Sequence, residues 1–190
     1  MSEASLKTFE GRKIREALAF AKVKRAFEQA GYLVAPLALN RSETFAEAER
    51  LFCIANDPPL LFMVLCLPDA FAFHPEKEVG YLLEVKAPKS GRQTVSIRLR
   101  DLWALRLWQA LIVVVADEQI KAALAQELSS PECIIVPDEP PTAWDYGALE
   151  WARQVYPDAR VLEGVAVEFG SKAPYGIWSL DAFASLDFYL

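Results

Sequence analysis

The chain of 190 residues contains a single histidine, His74. That scarcity all but removes histidine-dependent triads and multi-histidine metal sites. Its three cysteines, Cys53, Cys66 and Cys133, are odd in number and far apart, with no Cys-x-x-Cys pair. They read as buried thiols in a reducing compartment, not as a disulfide frame or a zinc site. The eight glycines build no glycine-rich phosphate loop, and no nucleophile elbow or internal repeat is present. Long apolar runs are missing too: a stretch such as 110–116 is far too short to span a bilayer. Residues 1–9 carry no apolar signal region, so a soluble chain of the cytoplasm, without a membrane partner, is expected.

Apolar residues make up 53% of the chain, ample for a core, and the length suits one domain with or without an extension. The net charge of −6 argues at first against nucleic acid. Its distribution says more. Residues 1–106 hold 16 Lys and Arg against 13 Asp and Glu, a net +3, whereas residues 107–190 hold 4 against 13, a net −9. A locally basic face still binds phosphates, because salt limits the reach of charge to about 8–10 Å. The plainer interpretation is a soluble surface of mixed charge.

The stretch 67–106 concentrates the chemistry. Two short apolar runs, 67–73 and 81–88, flank a polar turn that ends in Gly80, a hairpin signal. Asp69 begins the first run. Glu84 and Lys86 lie two apart in the second, hence on one face of a strand, with Val85 on the other. If the strands pair, Asp69 lies across from that face and two carboxylates meet one ammonium. Asp69 and Glu84 are hard oxygen ligands suited to Mg2+ (or Mn2+), and Lys86 is placed to orient or deprotonate a water or to stabilise a pentacovalent phosphorus. The competing interpretation makes Glu84 and Lys86 the solvated face of an edge strand and Asp69 a turn residue.

Pro68-Asp69, a spacer and Glu84-Val85-Lys86 resemble the active-site motif of the PD-(D/E)XK nuclease superfamily. The resemblance covers roughly residues 9–136. It implies an α/β restriction-endonuclease-like three-layer fold, a central mixed β-sheet flanked by helices. It implies that Asp69, Glu84 and the carbonyl of Val85 hold a metal ion, that Lys86 is the catalytic lysine, and that DNA is the substrate. Superfamily members often carry one more acidic residue on the first helix; Glu16 is the candidate here, ahead of Glu10 and Glu28. The helix after the Glu-x-Lys strand often sends a polar residue to the site, with Arg98, Arg100 and Arg106 available and Gln93 a looser choice. Superfamily members cut very different DNA structures, so the motif names a chemistry and not a substrate. A non-catalytic nuclease-fold subunit of a DNA-processing or defence assembly is the alternative.

Around this stretch, residues 9–30 have helical periodicity, with Ile14, Leu18, Ala21, Phe27 and Ala30 as an apolar stripe and Gly31 as the stop. The polar side, including Lys13 and Arg15, reads as a phosphate-gripping face or as an ordinary solvated one. Residues 32–39 read as the first strand and 43–56 as an inserted, capped helix. The run 60–67 is apolar and either strand or core helix. His74 falls in the hairpin turn, where an exposed loop residue is expected. Lys89 and Arg92 make a basic loop after Lys86, and Arg98 and Arg100 open a helix expected over 97–109. Trp103 and Trp108 at helical spacing are core more often than base-stacking. Residues 111–116 read as a central strand, Asp117 as the cap of a helix to Leu128, and 133–136 as a further strand. The boundary falls at 137/138. The nuclease-like core occupies 1–137, and 138–190 forms an acidic, aromatic-rich extension packed on it, with 144–156 helical and 161–169 a strand. That acidic region is also the surface offered to a homodimer or a protein partner.

Overall fold

In the computed structural model, residues 3–37, 66–137, 143–164 and 173–190 are described. The inserted helix expected at 43–56, most of the run 60–67, and Cys53 lie outside them. The chain order is α1 (Glu3–Gln29), β1 (Leu33–Pro36), β2 (Ala70–His74), β3 (Val79–Lys86), β4 (Thr94–Arg98), α2 (Leu99–Leu107), β5 (Leu111–Ala116), β6 (Gln119–Leu124), β7 (Cys133–Val136), α3 (Ala143–Val155), β8 (Arg160–Glu163), β9 (Tyr175–Ser179) and β10 (Ala184–Ser185). The expected α/β architecture, a central mixed sheet flanked by helices, is the one found.

The main sheet runs β1-β2-β3-β5-β6-β10. Its first three strands form an antiparallel meander, β3 and β5 are parallel, and β5 turns back antiparallel into β6. All six residues of β5 are buried, as expected of a β-branched run covered on both faces. Leu111, Val113 and Val115 share one core with Leu83, Ala70 and α1; Ile112, Val114 and Ala116 share the other with α2, α3 and a second sheet, β4-β9-β7-β8. Alternation along one strand thus serves two layers at once.

Five local expectations change. The buried stripe of α1 is Ala19, Val23 and Phe27, while Ile14 and Leu18 are 62% and 61% exposed. A long helix over a narrow sheet can bury only its C-terminal half, and the i, i+4, i+8 row meeting the strands starts at Ala19, five residues past Ile14 and so on a different face of the helix. The segment 97–109 divides: Thr94–Arg98 is strand β4, paired with β9, and the helix begins at Leu99. The helix expected after Asp117 is instead β6. Asp117 adopts φ 52°, a turn conformation Asp tolerates, and reverses the chain so that Gln119–Leu124 pairs with β5 along its length. His74 is not an exposed loop residue. It ends β2, is buried against the Tyr32 ring, and accepts the Lys77 N–H at Nδ1, 3.2 Å. Cys66 and Cys133 are reduced and half-buried, not fully buried. No helix among the described residues is long and apolar enough to cross a membrane.

Candidate functional site

The β2–β3 register pairs Ala70 with Leu83, so Asp69, the next residue out, faces Glu84. Its carboxylate Oδ2 accepts the Val85 N–H at 2.8 Å. One strand further in, Glu84 and Lys86 are in register with Ile112 and Val114 of β5. Their side chains therefore rise from the face that carries α2, whereas Val85 points to the α1 core. Lys86 Nζ donates to Glu84 Oε1 at 2.5 Å, and the two side chains are 23% and 13% exposed. The hairpin thus brings Asp69, Glu84 and Lys86 together at the C-terminal end of a parallel strand pair.

Burial chiefly raises the pKa of Glu84; Asp69 and Asp101 push the same way and Lys86 opposes them. Burial by itself would lower Lys86, but Glu84, Asp101 and Asp69 more than offset it and hold the ammonium charged. Asp101 also faces Arg100, so the carboxylates of Asp69 and Glu84 are set against the one ammonium of Lys86, an excess of negative charge of the kind a divalent cation relieves. Among the described residues no group of three or more His, Cys, Asp or Glu side chains is arranged to hold a metal. Asp69 and Glu84 are the two carboxylates there that could share an ion, and so few protein ligands suit Mg2+ because that ion keeps several of its waters.

The other candidates divide. Glu16 lies on the exposed side of α1, 3.6 Å from Arg12, and α1 covers the sheet face opposite Glu84. Arg15 donates from Nε to the Ala87 carbonyl at 3.2 Å, and Lys22 to the Asp117 carbonyl at 3.3 Å, so two basic residues of α1 clasp the ends of β3 and β5. Lys13, Lys89 and Arg92 are exposed. Arg98 and Arg100 turn inward: Arg98 Nε donates to the Tyr175 hydroxyl at 3.0 Å, and Arg100 lies between Asp101 and Asp145.

Asp101 and Cys66 were missed by sequence reasoning. Cys66 Sγ donates to Asp101 Oδ1 at 3.5 Å, and burial, then Asp101, pushes the thiol up to about 12. Starting the helix at Leu99 would have placed Asp101 in its first turn, where the helix dipole favours a carboxylate. Asp117 was also missed. It accepts Ser90 Oγ at 2.5 Å and the Gly91 N–H at 3.0 Å, and these bonds lower its pKa. It therefore tethers the loop carrying Lys89 and Arg92. Asp117→Gly, which keeps the φ 52° turn while removing the carboxylate, is expected to speed tryptic cleavage after Lys89 and Arg92 by roughly tenfold while leaving the melting temperature nearly in place. An unchanged cleavage rate would show that the tether holds nothing.

No family model matches the chain, and no curated relative does. Among solved structures, the Holliday junction resolvase Hjc of the archaeal hyperthermophile Archaeoglobus fulgidus is similar over 60% of this chain and 75% of its own, at 12% identity and a TM-score of 0.41. A likeness so distant assigns no residue, and the chemistry rests on the geometry above.

Proposed function

We propose that the chain is a Mg2+-dependent (or Mn2+-dependent) nuclease of restriction-endonuclease-like fold that hydrolyses DNA phosphodiester bonds. The observation that carries this reading is the Asp69 carboxylate held on the Val85 N–H, directly across from Glu84 and beside Lys86. Asp69, Glu84 and the Val85 carbonyl would hold the ion. When bound, a divalent ion neutralises charge at phosphorus and lowers the pKa of its water. Lys86 acts as a cation and not as a base, because its neighbours hold it protonated; it orients the attacking water and meets the charge that develops on the phosphate. Lys13, Lys89 and Arg92, beside the Arg15–Lys22 clasp, supply the phosphate-backbone contacts. In this reading Arg98, on the Tyr175 hydroxyl, and Arg100, between Asp101 and Asp145, hold the site and leave the DNA contacts to the other basic residues.

The test is cleavage of supercoiled, linear, branched and single-stranded DNA with Mg2+ or Mn2+. Wild-type protein should cut, with affinity that falls as salt rises, and Asp69→Ala should not cut. No cutting by wild type, or cutting that survives Asp69→Ala, would leave the second reading, a non-catalytic subunit of the same fold. The direct Lys86–Glu84 bond, which already satisfies one carboxylate oxygen, is the observation in favour of that second reading.

A further inference from the structure

Asp145 belongs to the last third of the chain, beyond the reach of any motif. It sits in the first turn of α3 and is 2% exposed. A carboxylate so buried is costly unless a cation meets it. Arg100 is one cation that meets it: its Nη1 lies 3.6 Å from Asp145 Oδ1, and its Nε lies 3.7 Å from Asp101 Oδ1. Packing of α2 on α3 fixes the meeting, through Trp103 stacked on Trp151 at 6.0 Å. Asp101 in turn accepts Cys66 Sγ and acts electrostatically on both Glu84 and Lys86. Ion pairs thus run from Asp145 of α3 through Arg100 to Asp101, and α2, which carries Asp101, covers the sheet face from which Glu84 and Lys86 rise.

We propose that Asp145 is a positioning residue of the site. Through Arg100 it fixes where Asp101 stands, and through Asp101 the orientation of Lys86. Helix α3 therefore completes the site and is not an accessory to it. A guanidinium shared by two carboxylates has a defined place; deprived of Asp145 it collapses onto Asp101 alone and draws it away from Lys86. Arg98, held by Tyr175 of β9 and subject to both Asp101 and Asp145, anchors the same turn of α2. The catalytic consequence rests on the nuclease reading; the charge coupling does not.

Two readouts separate them. The first is steady-state DNA cleavage by wild type, Asp145→Asn and Asp145→Glu. Asp145→Asn should lower kcat about tenfold to a hundredfold with KM within about twofold, since misplacing a catalytic group by an ångström has that cost. Asp145→Glu should recover much of the loss. The second is the rate of Cys66 alkylation by iodoacetamide at pH 9, resolved by peptide mass spectrometry, which needs no cleavage. The charged groups acting on Cys66 are Asp101, Arg100 and Glu84. Asp101→Asn should speed alkylation about tenfold, the equivalent of one pKa unit. Asp145→Asn should speed it several-fold, because Arg100 moves wholly to Asp101. Arg100→Gln should slow it. Mere loosening of the fold would make all three faster, and that result overturns the proposal. So does an Asp145→Asn protein that matches wild type in both readouts. If no preparation cuts DNA but the alkylation rates follow the expected signs, the nuclease reading falls and the coupling stands.

Discussion

Lys86→Ala is expected to abolish metal-dependent cleavage and also to cost the fold about 3 kcal/mol at pH 8, the scale for removing one partner of a largely buried ion pair. The second effect follows from what remains. Glu84 is 13% exposed and keeps Asp69 and Asp101 as neighbours, so its charge loses its compensation. The pH dependence has a definite sign. Glu84 has a raised pKa in the folded state, so the fold loses stability as pH rises from the ordinary glutamate value of 4.5 through the folded value. Without Lys86 the folded value climbs further and the loss deepens. Lys86 has a raised pKa as well, so its contribution is complete below the ordinary lysine value of 10.5 and fades only as pH passes the folded value. Wild type and variant should therefore approach each other near pH 4 and differ most between neutrality and pH 10.5. Urea unfolding across that range measures the difference. A cost below about 1 kcal/mol that does not vary with pH would mark Lys86 as a solvated surface lysine.

The parts of this architecture legible in sequence are those fixed by neighbours along the chain. The β2–β3 hairpin was legible because its apolar runs, its polar turn and Gly80 are contiguous, and period two then placed Glu84 with Lys86. Strand β5 was legible from its unbroken β-branched run. Strand β6 was not, because Gln119, Lys121, Ala122, Ala123 and Leu124 are good helix formers; only pairing with β5 on one side and β10 on the other overrides that propensity. The buried row of α1 was misplaced because Ile14 and Leu18 satisfy helical periodicity without meeting any strand. The inward turn of Arg98 and Arg100 was beyond reach for a different reason. Tyr175 lies 77 residues from Arg98, and Asp145 lies on a helix whose own periodicity says nothing of Arg100. A cation's partner is a long-range fact, so sequence offered both arginines to DNA when the fold had already engaged them.

Trp178→Ala is expected to cost about 3–5 kcal/mol, the range for deleting a fully buried aromatic. Trp178 is wholly buried on β9, with Nε1 donating to the Ser129 carbonyl at 2.8 Å. Its ring lies across Gly176, where a Cβ would stand 2.3 Å from Cη2, so that position admits only glycine. Gly176→Ala should therefore do comparable damage by overpacking, with the indole and two flanking strands having no room to give way. Strand β9 is bonded to β4 on one side and β7 on the other, and Pro174 just before it accepts the Leu99 N–H that opens α2. Loss of the indole loosens the start of α2, and with it Arg98, Arg100 and Asp101. Melting should fall by roughly 10 °C in one transition, at about 2–4 °C per kcal/mol for a chain of this length. Differential scanning calorimetry gives the decisive reading. If Trp178→Ala produced two transitions, the upper one at the wild-type temperature with cleavage intact, residues 138–190 would be folding apart from the candidate site. A single lowered transition, with cleavage lost across it, means that β9 and the Asp69–Glu84–Lys86 site belong to one cooperative unit.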